Sequence, residues 1–351
     1  MKKKKKDNSL IIHALLLVGF LVIAAGLYVM SGKKSATEIF QSTEEYYKEK
    51  AQVQAPKPIP VKNIPATQKY SYKYTYTISV SGRIPQITFK MPVPYNEKDK
   101  QYIKENTFSI KPTSIRNENG NTIAEFQLNN LNNQSVDISM QGIADVRTYD
   151  YQTASAINKN YNPEKNLEKY TKAEPLIESD DIAIKNAAAK IKGNTREEVV
   201  ANIYKYVVTN VKYTLVQGNA GAKRTLLQKQ GKCSEYAALM VALCRAKNIP
   251  ARVITGQIAR ENNTKHNWVE VYYDKYGWVT YEPTKRPTNV TTYNQQGQPV
   301  KKEQRIIAES SNINYIASAK NIFAPWALSY SVSQNANGTA TVAEKFEIHK
   351  L

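Results

Sequence analysis

The sequence predicts an α+β chain in three successive parts: an apolar membrane anchor, an all-β sandwich, and a domain in which helices precede antiparallel strands. Three observations carry this. Residues 10–30 are 21 almost unbroken apolar positions. From residue 70, tyrosine or β-branched residues alternate with small or charged ones, a period of two that belongs to strands. From Ser179 the spacing becomes helical, and three strand-like runs follow Pro250.

A chain of 351 residues has room for two ordinary domains besides an anchor. Its 41% hydrophobic content and 24 tyrosines exclude a disordered chain. The net charge is +19, and a basic excess remains when Lys2 to Lys6, Lys33 and Lys34 are set aside. Such charge favours lipid headgroups or an anionic cell-wall polymer as partners. Zinc-finger spacing, arginine clusters and aromatic–glycine RNA-binding signatures are lacking, so no nucleic-acid partner is expected.

A helix over residues 10–30 covers about 30 Å, the thickness of a bilayer's hydrocarbon core. Five lysines precede it and two follow, which keeps the N-terminus cytoplasmic and places the rest of the chain outside the plasma membrane. The run exceeds the apolar part of a signal peptide, and residues 27–30 make a poor cleavage site, which favours an uncleaved anchor. Pro56, Pro58, Pro60 and Pro65 then form a semi-rigid spacer.

Strand patterns at 70–80, 86–90, 107–110, 122–128 and 135–141, with an Asn/Gly-rich turn at 117–121, indicate the sandwich. Residues 181–191 read as an amphipathic helix, and Thr195-x-x-Glu198 is a capping box opening a second one through about Thr209. Residues 225–229 add a turn, and a third helix runs from Ser234 to Lys247. Strands follow at 252–259, 266–273 and 278–281, the last two joined by a tight turn at 274–277. Near the end, residues 326–332 and 339–348 are expected to pair as a hairpin. The parts are thus a lysine run with the anchor (1–34), a Pro-rich linker (35–69), the sandwich (70–148), a connector (149–178), the mixed domain (179–285) and a C-terminal extension (286–351).

The chemistry starts from Cys233 in Gly231-Lys232-Cys233-Ser234-Glu235, where a loop meets the first turn of a helix. Unpaired N–H groups and the helix dipole favour a thiolate there, and Gly231 leaves room for a substrate to approach the backbone. The only other cysteine, Cys244, lies in an apolar helical face about 16 Å away along the axis, too far for a disulfide, and reads as core. Of three histidines, His13 is in the anchor and His349 is near the end, which leaves His266 as the base. A third group must orient the imidazole. Glu270 lies about 13 Å along the same strand and Asp274 about 26 Å, both out of reach. If Tyr273 and Gly277 flank a three-residue loop, Glu282 falls diagonal to His266 on the same face; a loop shorter or longer by one residue would turn it away.

These residues lie in segments that resemble the transglutaminase-like superfamily: Gly231-Lys232-Cys233-Ser234-Glu235-Tyr236-Ala237, Arg245-Ala246-Lys247-Asn248-Ile249-Pro250-Ala251-Arg252-Val253, His266-Asn267-Trp268-Val269-Glu270-Val271 and Gly277-Trp278-Val279-Thr280-Tyr281-Glu282-Pro283-Thr284. The resemblance covers about residues 180–285. It implies a papain-like fold and a catalytic Cys233, His266 and residue 282. That residue is glutamate here, where the family's usual pattern has aspartate. No acidic calcium loop is recognisable, and no metal or cofactor is expected.

The implied function is an extracellular thiol acyltransferase or cysteine protease acting through a thioester on glutamine amides or peptide bonds of envelope proteins or peptides. The alternative is a degenerate surface module that binds envelope polymer or a partner protein. Oxyanion donors would be the Cys233 N–H and a side chain among Tyr213, Gln228 and Gln230. Trp268 and Trp278 are candidates to line the acyl groove or to pack in the core.

Overall fold

The computed structural model describes residues 66–157, 161–214, 219–259, 265–284, 288–293, 299–305, 315–320 and 329–351. The lysine run, the apolar segment and nearly all of the proline-rich spacer fall outside these residues. Among the described residues no helix is long and apolar enough to cross a membrane.

The sandwich is built on one strand. β1 (Gln68–Pro92) runs through 25 residues and absorbs the two strands read at 70–80 and 86–90. β2 (Gln101–Phe108), β3 (Ser114–Glu118), β4 (Asn121–Asn132) and β5 (Ser135–Val146) follow. The expected turn forms between β3 and β4, where Asn119 and Gly120 both take positive φ, as a two-residue hairpin of this kind requires. β4 and β5 lie end to end along one edge of β1, pairing with its C-terminal and N-terminal halves respectively.

The opposite edge is filled by β14 (Ser329–Val332) and β15 (Asn337–Lys350), again end to end. The hairpin read at 326–348 is therefore not one. Its two segments pair with β1 rather than with each other, because β1 offers an open edge long enough for both.

Burial along β1 alternates on even positions from Tyr70 to Val80 and on odd positions from Ile87 to Met91. Tyr76 and Phe89 would be about 43 Å apart on a straight strand, yet their ring centroids are 5.5 Å apart. The strand folds over between them, near Gly82 at φ 82°. Its two halves then face each other across a core that includes Tyr72, Tyr74, Tyr76, Phe89 and Phe126. The expected sandwich is thus one seven-stranded sheet folded over on itself.

A short helix α1 (Tyr151–Ile157) leads into the mixed domain. α2 (Ile182–Lys190) is capped by Asp181, which accepts from the Ala183 N–H at 2.8 Å. α3 (Arg196–Asn210) is capped by Thr195, whose hydroxyl accepts from the Glu198 N–H at 3.2 Å. The Glu198 carboxylate reaches back to the Asn194 N–H at 2.7 Å, one residue outside the usual box. After the two-residue β6 (Lys212–Tyr213) come α4 (Gly221–Gln228), β7 (Gln230–Gly231) and α5 (Cys233–Arg245).

β8 (Ala251–Ile258), β9 (Lys265–Tyr273), β10 (Gly277–Tyr281) and β13 (Tyr315–Lys320) form an antiparallel sheet ordered β10-β9-β8-β13. α5 packs on its face, burying Leu239, Met240, Leu243 and Cys244 with Val253, Val269 and Val271. β11 (Thr288–Tyr293) and β12 (Pro299–Arg305) pair separately.

The two layers meet through buried charge. Arg252 on β8 binds Glu270 on β9 at 2.6 Å and Glu97 of the sandwich at 3.3 Å. Lys100 of the sandwich also binds Glu270, and Lys320 on β13 binds Glu97 at 2.7 Å. Burial pushes the Glu97 carboxyl up, but the charges of Arg252, Lys100 and Lys320 outweigh it and hold the group at about 2. The Arg252 guanidinium also lies 4.0 Å from the Trp278 ring centre. Removing one partner from such a network strands a buried charge. Arg252→Met is expected to lower unfolding free energy by about 3 kcal/mol or more in urea titrations; a loss below about 1 kcal/mol would show that the network does not hold the layers together.

Candidate active site

Cys233 begins α5, with Lys232 at the N-cap position. The buried Glu235 carboxylate accepts from the Lys232 N–H at 3.0 Å and from the Ala220 N–H at 2.9 Å, which pins the loop before the thiol. A Cβ at Gly231 would overlap the Glu235 side chain. The space at Gly231 is therefore filled by Glu235 rather than left for a substrate, which corrects the sequence-based reason for that glycine. Cys233 is partly exposed and Cys244 is buried, both with free thiols. Burial pushes the Cys244 thiol up to about 12 against the opposing charge of Arg245, consistent with its reading as core.

His266 stands near the start of β9. Tyr273 pairs with Gly277 across a three-residue loop, so the register expected for Glu282 is the one formed. Nε2 of His266 donates to Oε2 of Glu282 at 2.6 Å, and the Cys233 side chain lies near enough to the same ring to help raise its pKa. Sulfur, imidazole and carboxylate thus form one chain of contacts.

Glu282 is 2% exposed, and its carboxylate is fully engaged. Oε1 accepts from the Thr284 N–H at 2.9 Å and from the Thr284 hydroxyl. Oε2 accepts from the Tyr315 hydroxyl at 2.6 Å as well as from His266. Burial alone would raise this carboxyl, but the His266 charge and these hydrogen bonds outweigh it and hold it at about 2. Burial likewise pulls His266 down, while the Glu282 charge, the nearby Cys233 side chain and the hydrogen bond to Glu282 raise it to about 10. The pair is thus poised as imidazolium and carboxylate.

Two groups were not found by sequence reasoning. Tyr204 on α3 donates to the Glu282 backbone carbonyl at 3.1 Å. Tyr315 stacks on His266 with ring centres 5.8 Å apart and planes 9° apart, and Trp268 stacks on Tyr315 at 4.5 Å and lies 6.4 Å from the imidazole. Trp268 therefore backs the site, whereas Trp278 packs in a separate cluster with Tyr170 and Tyr272. The Thr following Glu282-Pro283 was the one available signal for the carboxylate's support; nothing in the sequence marks Tyr315.

Of the side chains considered as oxyanion donors, Tyr213 lies close by. β6 pairs it with Gly231, and burial together with the charges of Cys233 and Glu282 raises its hydroxyl. Gln228 instead accepts from Arg224 on its own helix at 3.0 Å, and Gln230 is exposed. Among the described residues no cluster of His, Cys, Asp and Glu could hold a metal ion.

A cysteine at a helix start is thus brought beside a histidine and a carboxylate from neighbouring antiparallel strands. Residues 185–283 match the family model of the transglutaminase-like superfamily. The chain is 30% identical over 154 residues to the uncharacterized protein YebA of Bacillus subtilis, covering 36% of this chain and 21% of that protein. It is 34% identical over 67 residues to a protein-glutamine gamma-glutamyltransferase of Pseudomonas aeruginosa, covering 16% of this chain and 10% of that one. The chain thus spans about a fifth and a tenth of these relatives. A candidate cysteine protease of Cytophaga hutchinsonii, known from its crystal structure, shares the fold at TM-score 0.58 and 18% identity, covering 81% of this chain and 91% of that one.

The ion pair sets a pH dependence with a defined sign. The raised His266 contributes stability that is complete below its ordinary value of 6.5 and is lost as pH rises through about 10. The lowered Glu282 contributes stability present above its ordinary 4.5 and lost as pH falls through about 2. In thermal melts, Glu282→Gln is expected to be destabilised most near pH 6 and to converge on wild type as pH approaches 10. A constant gap across that range would contradict the pairing.

Gly256 on β8 lies opposite both His266 and Ala317, and a Cβ there would overlap the Ile316 carbonyl and the Trp268 ring. Gly256→Ala is expected to cost about 1–3 kcal/mol through overpacking. It should also slow alkylation of Cys233, read by mass spectrometry.

Proposed function

We propose that this protein is a thiol acyl-transfer enzyme of the transglutaminase-like type, acting on glutamine side-chain amides or peptide bonds of envelope proteins or peptides. Cys233 is the nucleophile, His266 the acid and base, and Glu282 the group that orients the imidazole. One observation carries the reading: a single imidazole joins the Cys233 side chain to a carboxylate held at 2.6 Å.

In this mechanism the Cys233 thiolate attacks the substrate carbonyl carbon, and the electron pair moves to oxygen. The Cys233 N–H, in a first helical turn whose N–H groups have no intrahelical partner, and the Tyr213 hydroxyl receive the oxyanion. Collapse breaks the C–N bond, and the His266 imidazolium gives its proton to the departing amine. A thioester on Cys233 and a neutral imidazole remain. The ring then takes a proton from water or an amine as that nucleophile attacks the thioester, and the thiolate leaves as imidazolium is restored. Glu282, ionised throughout, stabilises the imidazolium at both stages.

The apolar run at 10–30 and its flanking lysines support a single-pass anchor with the enzyme outside the plasma membrane. The basic surface suits an anionic envelope.

Iodoacetamide is expected to label Cys233 rapidly near neutral pH, with His266→Ala slowing labelling by about a hundredfold. Incubation with glutamine-containing proteins and a labelled amine then separates the chemistries: incorporated amine identifies a transferase, new chain ends a protease. Slow, histidine-independent labelling with neither product would assign the segment to polymer or partner binding.

A further inference from the structure

We propose that Tyr315 is a positioning residue of this site and that Gln101 and Asn121 of the sandwich hold it in place, making the β layer part of the catalytic apparatus. The inference rests on the reading of Cys233, His266 and Glu282 given above. Tyr315 delivers its hydroxyl to Oε2 of Glu282, the same oxygen that binds His266, while its ring covers the imidazole. It therefore fixes both partners of the ion pair at once. Phenylalanine would keep the packing and leave that oxygen free to swing.

Tyr315 opens β13, the outer strand of the core sheet, which pairs with β8 on its inner edge. Its other edge is met by side chains of the sandwich. Gln101, 6% exposed, accepts from the Ala317 N–H at 2.7 Å and donates to the Ala317 carbonyl at 2.9 Å. Asn121, 1% exposed, accepts from the Lys320 N–H at 2.7 Å and donates to the Lys320 carbonyl at 3.0 Å. Each buried amide supplies the two bonds that a neighbouring strand would supply. Gln101 is anchored in turn by donating to the Tyr95 carbonyl at 2.8 Å, and Ile316 is buried in the sandwich core. β13 is thus clamped from both domains, two residues from the tyrosine that touches Glu282.

The test is the rate of Cys233 alkylation by iodoacetamide in the full chain, followed by mass spectrometry beside thermal melts. Tyr315→Phe is expected to slow alkylation about tenfold, the scale of a lost hydrogen bond to a charged group. If the tyrosine acts through the carboxylate, the same substitution should change the rate less than twofold in a Glu282→Ala background. Gln101→Met, which keeps the side chain's length but none of its three hydrogen bonds, should slow alkylation at least threefold and also lose its effect in that background. A Tyr315→Phe rate within twofold of wild type, or an equal slowing in both backgrounds, would overturn the inference while leaving the thiol–imidazole reading intact. Labelling indifferent to His266→Ala would overturn that reading, and this inference with it.

Discussion

The site depends on one carboxylate held out of water by four hydrogen bonds. Glu282 can remain ionised at 2% exposure only because His266, Tyr315 and the amide and hydroxyl of Thr284 saturate its oxygens. That saturation makes the residue a rigid partner for the imidazole instead of a mobile anion. It also accommodates glutamate where the resembled family usually carries aspartate. The added methylene is absorbed by a local loop onto Thr284, two residues on, and by a tyrosine arriving from another strand. The register of a three-residue loop sets which face Glu282 occupies, so a backbone choice at Tyr273 and Gly277 governs an electrostatic one several residues away.

A second group of charges shapes the junction behind the site. Apolar contact alone would let the two layers slide. Arg252, Glu270, Glu97, Lys100 and Lys320 instead form a directional lattice, with geometry fixed by hydrogen bonds from both domains. Buried ion pairs of this kind contribute little net stability over an apolar equivalent but penalise any alternative alignment. Three of these groups, Glu97, Lys100 and Glu270, line a small cavity together with Trp268 and Tyr315.

Much of this was legible in the sequence where the governing interactions are local. The helix near 181–191, the cap at Thr195, the helix start at Cys233 and the β9–β10 turn follow from residue chemistry over a few positions, and the turn's register brings His266 and Glu282 together. What was not legible is decided at long range. The alternation along β1 has the same period on both sides of its fold, so one strand reads as two. The segments after Ser329 look like a hairpin because only the open edge of β1, some 240 residues earlier, draws them apart. Tyr315 follows a stretch with weak patterning, and no rule of spacing ties it to Glu282.

The pairing of β1 with β15 has a consequence for how the molecule is made. Tyr70 meets Lys350 across roughly 280 residues of intervening chain, and contacts so distant in sequence close slowly. During synthesis the helices and the β8–β10 sheet can assemble while one edge of β1 still waits for residues 329–350. The β layer is therefore completed after the core sheet, when residues 329–350 reach the open edge of β1.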